Sequence, residues 1–331
     1  MRGSGWSARA IAGPAFAALV VACSDGEIAA VDAGAGADAG PLPACTNVPS
    51  APSDRPPSTP TVLAAATTVT ALAVDEQEVF FAGLVDGKPA LHAIPKKGGA
   101  LRKVSATAPS HLESDGPWLY GDGIRIDKSN GTVMVYDTSA AHVGHDEGAV
   151  YLVVEQNALI RINKGGSGER IELARNVPRQ ATLRDGYVYW RGTRGSVQER
   201  TPTLFRVPTR GGPVETVSVG GFGEGVAIDC HHVYFSLFDS DAFGSTVPNA
   251  VGRMRLGGGP VAPVVGIADR SDQLFVDAAS LYAVSNRAIW RVSLATGAPT
   301  QVKGLYEGRQ FAIGDDAVYW SGPDGVMRAE K

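Results

Sequence analysis

The chain contains few cysteines, few aromatic residues and no strong excess of either charge. Its 331 residues include three cysteines, 7% aromatic and 19% charged residues, with a net charge of −4. Nucleic-acid binding is disfavoured, because phosphate contacts need clustered Lys and Arg. No G-x-S-x-G elbow, phosphate loop or catalytic triad can be read, so no catalytic residues are predicted. After residue 60 there is no convincing 3.6-residue apolar period, which predicts almost no helix.

A short unit that begins with Asp and reaches an aromatic residue four or five positions later recurs along the chain. The pairs are Asp75 and Phe80, Asp115 and Tyr120, Asp146 and Tyr151, Asp185 and Tyr189, Asp229 and Tyr234, Asp277 and Tyr282, and Asp315 and Tyr319. Repetition at about 40 residues with strand-like composition is typical of a β-propeller.

One copy, residues 178–219, shows what each repeat contains. A mixed segment is followed by the Asp185-Gly186 turn, an aromatic strand, an alternating strand, the Gly211-Gly212 turn and a second alternating strand. This pattern predicts four short antiparallel strands, labelled A to D from the hub outward, which make one propeller blade.

The two ends of the chain predict how the ring closes. The copy that begins near Gln310 stops at Lys331 before its fourth strand, whereas an extra strand, residues 60–66, precedes the first copy. Pairing these segments leaves no exposed sheet edge. The predicted fold is therefore all-β, a single seven-bladed propeller over residues 60–331. The alternative is six blades, with the short copy at 109–137 forming something else.

The first 59 residues predict export. Arg2 and Arg9 precede the apolar run 10–22, which is too short to span a bilayer stably. The end of this run, Leu19-Val20-Val21-Ala22-Cys23, resembles a bacterial lipoprotein signal, and the resemblance implies lipidation of Cys23. Residues 23–59 then form a flexible tether rich in Ala, Gly, Asp and Pro. A plain secretory signal or a chance apolar stretch is the alternative.

Export also bears on the two remaining cysteines, Cys45 and Cys230. Disulfides persist outside the cytoplasm. Cys230 follows the corner residue Asp229, and the tether enters the ring from the face that carries those corners. We therefore predict a Cys45–Cys230 disulfide; two independent thiols are the alternative.

The face opposite the tether, built by the D–A and B–C loops, is the predicted binding face. Polar residues near the start of the inner strands mark the mouth of its central channel, and the candidates are His111, Arg179, Gln180, Glu224, Asp272, Gln273, Arg309 and Gln310. Within this set, Arg179 and Arg309 could bind an anion, and Glu224 and Asp272 a cation. A merely hydrated funnel is the alternative.

Two long B–C loops on the same face, 191–203 and 236–250, predict a partner-binding region. Their candidate residues are Arg191, Arg194, Arg200, Asp239, Asp241 and Phe243. Simple variation in loop length accounts for these insertions equally well.

No metal site or cofactor is predicted, although calcium and zinc stay open as alternatives. His142 and His145 look ligand-rich, but three residues apart on a regular strand they should lie on opposite faces. Asp146 is already used at the corner.

The units Tyr187-Val188-Tyr189-Trp190 and Ala317-Val318-Tyr319-Trp320 resemble bacterial periplasmic propellers, loosely those of the YWTD-repeat and TolB-like groups. The resemblance implies a binding or scaffold role more than catalysis. We expect a monomer, anchored to the cell envelope through Cys23, that engages a protein, peptide or small ligand on the face away from the membrane. The alternative is a metal-dependent enzyme, lactonase- or lyase-like, with its site at the channel mouth.

Overall fold

The computed structural model describes residues 58–194, 201–219, 222–229, 231–237, 250–256, 260–266, 271, 273–277, 279–285, 288–304 and 310–331. Within these ranges the regular structure is strand, apart from one 3₁₀ turn at Glu155–Asn157. The strands are β1 (Thr61–Ala65), β2 (Thr67–Val74), β3 (Glu78–Val85), β4 (Lys88–Pro95), β5 (Arg102–Ser105), β6 (Glu113–Asp115), β7 (Trp118–Gly121), β8 (Ile124–Asp127), β9 (Val133–Val135), β10 (Ala141–His145), β11 (Ala149–Val154), β12 (Ala158–Asn163), β13 (Ile171–Ala174), β14 (Thr182–Arg184), β15 (Tyr187–Arg194), β16 (Thr201–Pro208), β17 (Glu215–Val219), β18 (Phe222–Ile228), β19 (His232–Leu237), β20 (Ala250–Arg255), β21 (Ala262–Gly266), β22 (Gln273–Val276), β23 (Ser280–Val284), β24 (Ala288–Ser293), β25 (Pro299–Gly304), β26 (Phe311–Ile313), β27 (Ala317–Gly322) and β28 (Gly325–Glu330).

These strands form seven four-stranded antiparallel sheets, which confirms the seven-bladed propeller. Blades 1 to 6 each take four consecutive strands, from β2–β5 through β22–β25, and blade 7 has the order β1-β28-β27-β26. The short copy at 109–137 is blade 2, so the six-bladed alternative is wrong. Apolar side chains pack between neighbouring blades; for example, Phe80 and Leu91 of blade 1 share a buried cluster with Leu119 and Ile126 of blade 2.

The ring closes as predicted, through antiparallel pairing of β1 with β28. Thr61 pairs with Arg328 and Ala64 with Val326, and the described chain before β1 continues the contact, because Glu330 N donates to Ser58 Oγ at 2.8 Å. The amino end of β1 therefore lies beside the carboxyl end of β28. The edge strand of blade 7 is covered by the opposite end of the same chain.

Four of the repeated Asp residues accept backbone hydrogen bonds at the corner between strands A and B; they are Asp75, Asp146, Asp229 and Asp277. At two of these corners the repeated tyrosine, Tyr151 or Tyr234, adds a hydroxyl donor. Asp146 Oδ1 accepts hydrogen bonds from Gly148 N at 2.9 Å and Ala149 N at 2.8 Å, while its Oδ2 accepts one from the Tyr151 hydroxyl at 2.5 Å. Burial alone would raise the pKa of Asp146, but these donors hold it below its ordinary value. In blades 3 and 5 the five-residue spacing from Asp to Tyr therefore lets both side chains take part in one corner.

Blade 7 departs from this corner. In blade 3 the corner is closed by a backbone hydrogen bond from Asp146 N to Ala149 O. The equivalent bond in blade 7 runs from Gly314 N to Ala317 O. Asp315, the residue predicted for this corner, therefore lies one position beyond it. Its shorter spacing to Tyr319, four residues rather than five, is the sequence sign of the shift.

A row of lysines that sequence reasoning missed joins neighbouring blades at this corner face, which we call the base. Each lysine directly follows a strand C and bonds an acid at the A–B corner of the preceding blade. The pairs are Lys96 with Asp316 at 3.2 Å, Lys128 with Asp75 at 2.7 Å, Lys164 with Asp115 at 2.6 Å and Lys331 with Asp277 at 2.5 Å. Their backbone N–H groups bond the corner of their own blade, so each lysine bridges two blades.

Replacing Gly325 should weaken ring closure. Gly325 has φ +128°, and a Cβ there would overlap the Ala64 carbonyl oxygen of the closing strand. We expect Gly325→Ala to lower the free energy of unfolding by about 3 kcal/mol. Gly87→Ala is the control, because Gly87 also has positive φ (+74°) but nothing within 4 Å of its Cβ position. Equal urea midpoints for the two variants would contradict the closure argument.

Replacing Lys128 should reduce both stability and its pH dependence. The pKa of Asp75 lies below its ordinary 3.8: burial raises it, but Lys128 and two backbone donors outweigh that effect. The pair therefore stabilises the fold at pH values above the ordinary pKa of Asp75. This stabilisation is lost as the pH falls through the lower pKa that Asp75 has in the folded state. We expect Lys128→Met to cost about 2 kcal/mol at neutral pH.

The same variant should lose less additional stability on acidification, because Asp75 then has a higher pKa in the folded state. Urea unfolding at neutral pH and near pH 3 measures both effects. Exposed Lys97 provides the control Lys97→Met. An unchanged pH slope in Lys128→Met would show that the pair does not contribute to acid sensitivity.

Candidate functional site in the central channel

The inner strands enclose a cavity of about 1410 Å³ in the central channel. Residues of blades 2 to 6 line this cavity. The lining extends from the mouth, at Ser110 and His111, to the base corner at Asp185 and Gly186. Both polar and apolar side chains face it. Such a space is large enough for a small molecule or the end of a peptide.

Half of the predicted mouth residues do meet at this cavity. His111, Arg179, Gln180 and Gln273 all line it and are exposed. Arg179 is held in place, because its Nη2 donates to Ser139 O at 3.0 Å. The described part of the mouth is therefore polar, and its hydrogen-bonding side chains come from separate blades.

Of the other predicted residues, two have described side chains and the rest do not. Gln310 does not line the cavity, and its backbone N–H donates to Ser321 Oγ at 3.1 Å within blade 7. Arg191, predicted as a loop residue, lies on β15 and lines the cavity. Outside the described side chains fall Glu224, Asp272, Arg309, Arg194, Arg200, Asp239, Asp241, Phe243, Cys23, Cys45 and Cys230. The Cys45–Cys230 disulfide and the boundaries of the signal and tether accordingly stay predictions.

A cluster of one carboxylate and two imidazoles lies on the wall of this cavity, where blades 2 and 3 meet. Glu113 comes from the inner strand β6, and His142 and His145 come from the inner strand β10. Glu113 Oε2 is 3.4 Å from Nδ1 of His142 and 3.4 Å from Nδ1 of His145. One potential ligand atom from each residue lies within 4.8 Å of the others.

The expectation that His142 and His145 lie on opposite faces is wrong, and a β-bulge is the reason. The pairing of β10 with β11 shifts between His142 and Gly144, so Val143 has no partner in the register. One extra residue restores the two histidines to the same face. Gly144 permits the bulge, because a Cβ there would lie 2.6 Å from Leu183 Cβ. A glycine inside a strand pattern was the available sequence signal.

The surroundings keep the cluster in a form that favours cation binding. Burial, supported by His111 and His145, outweighs the attraction of Glu113 and lowers the pKa of His142 to about 3. His142 is therefore a neutral imidazole at physiological pH. Burial alone would raise the pKa of Glu113, but the contact with the His145 side chain outweighs this effect and the pKa lies below its ordinary value.

A second layer of residues orients the cluster. The Tyr120 ring stacks on His145 with centroids 4.5 Å apart and on His142 with centroids 5.8 Å apart. Asp115 Oδ2 is 3.4 Å from His145 Nε2 and 2.6 Å from Lys164 Nζ. One of the base lysines therefore also fixes the carboxylate that faces His145.

Comparisons with known proteins support the architecture. No protein-family model matches the chain, and no curated protein matches it. Solved structures that it resembles include PorZ of Porphyromonas gingivalis, a surface component of the type-IX secretion system. That match is 14% identical, covers 81% of this chain and 37% of the other, and has a TM-score of 0.57.

Two further neighbours match over most of both chains. The β-propeller domain of the Trilobed protease from Pyrococcus furiosus is 10% identical, with 78% of this chain and 91% of the other covered and a TM-score of 0.56. Virginiamycin B lyase from Staphylococcus aureus is 12% identical, with 80% and 94% covered and a TM-score of 0.55. At such low identity these matches show the propeller fold alone, and the lipoprotein part of the resemblance stays a prediction.

A search for membrane-spanning helices found none of sufficient length and apolar character among the residues that the structure describes.

Proposed function

We propose that this chain is an exported, lipid-anchored propeller of the bacterial cell envelope that binds a protein or peptide partner over its channel mouth. The anchor rests on sequence: the apolar run 10–22 ends at Cys23, and the tether 23–59 separates that residue from the ring. The lipid on Cys23 would attach the protein to the membrane, and the propeller would act as a monomer.

The observation that carries the binding role is the polar mouth of the channel cavity, which lies on the face opposite the incoming chain. Ser58 lies beside Glu330 at the base, and β1 runs from there toward the hairpin at Gly325 on the mouth face. A tether that enters at the base directs the mouth away from the membrane. The exposed mouth side chains, including Arg179 and Gln180, then face a partner in the periplasm or outside the cell.

A metal-dependent enzyme is the second candidate function, and one observation favours it. Such an enzyme needs several metal ligands around the channel, and Glu113, His142 and His145 converge on the wall of the cavity. The cavity would then hold a substrate rather than a peptide end.

The lipid anchor predicts a clear effect of replacing Cys23. We expect the wild-type protein, expressed in a bacterium, to incorporate an alkyne-labelled fatty acid and to sediment with membranes. Cys23→Ser should incorporate none and should fractionate as a released protein, because the lipidated thiol is missing. Cys45→Ser is the matched control and should behave as wild type. A labelled Cys23→Ser protein would contradict the proposal.

The binding face can be tested by site-specific photocrosslinking in native cells. A photoreactive amino acid at position 179 or 180, on the mouth, should yield a discrete higher-mass adduct. The same probe at exposed Lys97 or Arg210, on the base, should yield none. Adducts only from the base positions, or none from the mouth, would overturn the proposed orientation.

A further inference from the structure

We infer that Glu113, His142 and His145 bind one zinc ion, or a chemically similar divalent transition metal, between blades 2 and 3. One coordination position of this ion would be open to the channel. This inference goes beyond the partner-binding role and does not depend on it. It rests on the convergence of three ligand side chains, on a buried unpartnered histidine and on a second layer of orienting residues.

The distances suit coordination better than hydrogen bonding. Both Nδ1 atoms lie 3.4 Å from the same oxygen, Glu113 Oε2, which is longer than an ordinary N–H···O hydrogen bond. Two ligands of one tetrahedral zinc ion, at about 2.0–2.1 Å each, are about 3.3–3.5 Å apart. Since all the candidate ligand atoms lie within 4.8 Å of one another, small side-chain rotations suffice to bring them around one ion.

The buried histidine is the independent observation. Only 1% of the His142 side chain is exposed, and among the described residues neither of its ring nitrogens has a hydrogen-bond partner. Nδ1 of His145 is also without one. Native proteins seldom leave buried polar atoms unsatisfied, and such atoms often mark an unseen ion or water. His92 is likewise buried without a hydrogen-bond partner, but in the part of the chain that the structure describes it belongs to no comparable cluster, so burial alone does not define this site.

The second layer matches that of known metal centres. Metal-binding histidines usually present their other ring nitrogen to a carboxylate, which fixes the ring and its tautomer. His145 directs Nδ1 toward Glu113 and Nε2 toward Asp115, at 3.4 Å in each case. Asp115 is in turn bonded to Lys164. Asp115 is therefore a positioning residue for the site.

The donor set indicates which metal fits. Calcium and magnesium prefer oxygen ligands, whereas two imidazoles with one carboxylate suit zinc and its neighbours in the first transition row. Three protein ligands leave a fourth position for water or substrate. That position faces the cavity, because all three ligands line it and 43% of the Glu113 side chain is exposed.

The test uses the full mature chain, freed of metal with a chelator and then supplied with zinc alone, iron(II) alone or calcium alone. We expect about one zinc per chain by elemental analysis after gel filtration, and no retained calcium. Cobalt(II) substituted for zinc should give the visible absorption of a four-coordinate site.

Two substitutions test whether the proposed ligands bind the metal, and one tests whether Asp115 positions His145. Glu113→Gln and His145→Asn should each weaken zinc binding at least tenfold, whereas His231→Asn, which changes an exposed histidine at the base, should bind as wild type. Circular dichroism and urea unfolding establish that each variant folds. Asp115→Asn should weaken zinc binding by about 10–100-fold and alter the cobalt spectrum.

Absence of stoichiometric zinc in the wild type would overturn the inference, as would zinc binding that Glu113→Gln and His145→Asn leave unchanged. Stoichiometric calcium without zinc would also overturn it. Wild-type affinity and spectrum in Asp115→Asn would overturn the positioning role of Asp115. One iron(II) bound in preference to zinc would overturn the assignment to zinc.

Discussion

The antiparallel pairing of β1 with β28 is the constraint on which the remaining structure depends. Blade 7 is completed only when the two ends of the described chain come together, with Thr61 opposite Arg328 and Ala65 opposite Gly325. Once this pairing forms, every blade has four strands and packs against two neighbours, so only short outer strands remain as sheet edges. The channel and its cavity exist only because the circle is closed.

The ring is held at two levels, one apolar and one ionic. Aromatic and branched side chains fill the space between blades, and most of the repeated aromatic residues are fully buried there, Tyr120 and Tyr319 among them. At the base, lysines reach from one blade to the corner acid of the preceding blade. Burial of the apolar side chains is the dominant favourable contribution to folding, and the charged pairs add direct contacts between neighbouring blades.

The candidate metal cluster follows the same logic, because it also lies between two blades. Glu113 belongs to blade 2, the two histidines belong to blade 3, and the Lys164–Asp115 pair that supports His145 spans the same two blades. An ion bound there would couple these blades as the lysines do elsewhere. It would also present an open coordination position to the cavity below the proposed partner-binding face. Propeller folds host both binding modules and enzymes, so the chemistry of the site decides the function.

The sequence by itself determined the architecture, because that information is local. Strand alternation, the Asp corners and glycine-rich turns recur in most copies, and the missing strand at one end matches the extra strand at the other. Each hairpin pairs segments that are adjacent in the chain, so its prediction requires no long-range contacts. Seven blades and their closure could therefore be predicted. The polar mouth at His111, Arg179 and Gln180 followed from the same register.

Only the tertiary structure decided the candidate metal site and the base lysines. His142 and His145 share a face because a single extra residue shifts the register of β10. In a strand with alternating faces, one such shift moves the following side chains to the opposite face. Glu113 joins them from another blade, about thirty residues earlier in the chain. Lys128 and Asp75 likewise meet across a blade boundary. Contacts of this kind depend on how separate repeats pack. The sequence of one repeat does not specify which side chains of the next repeat it will contact.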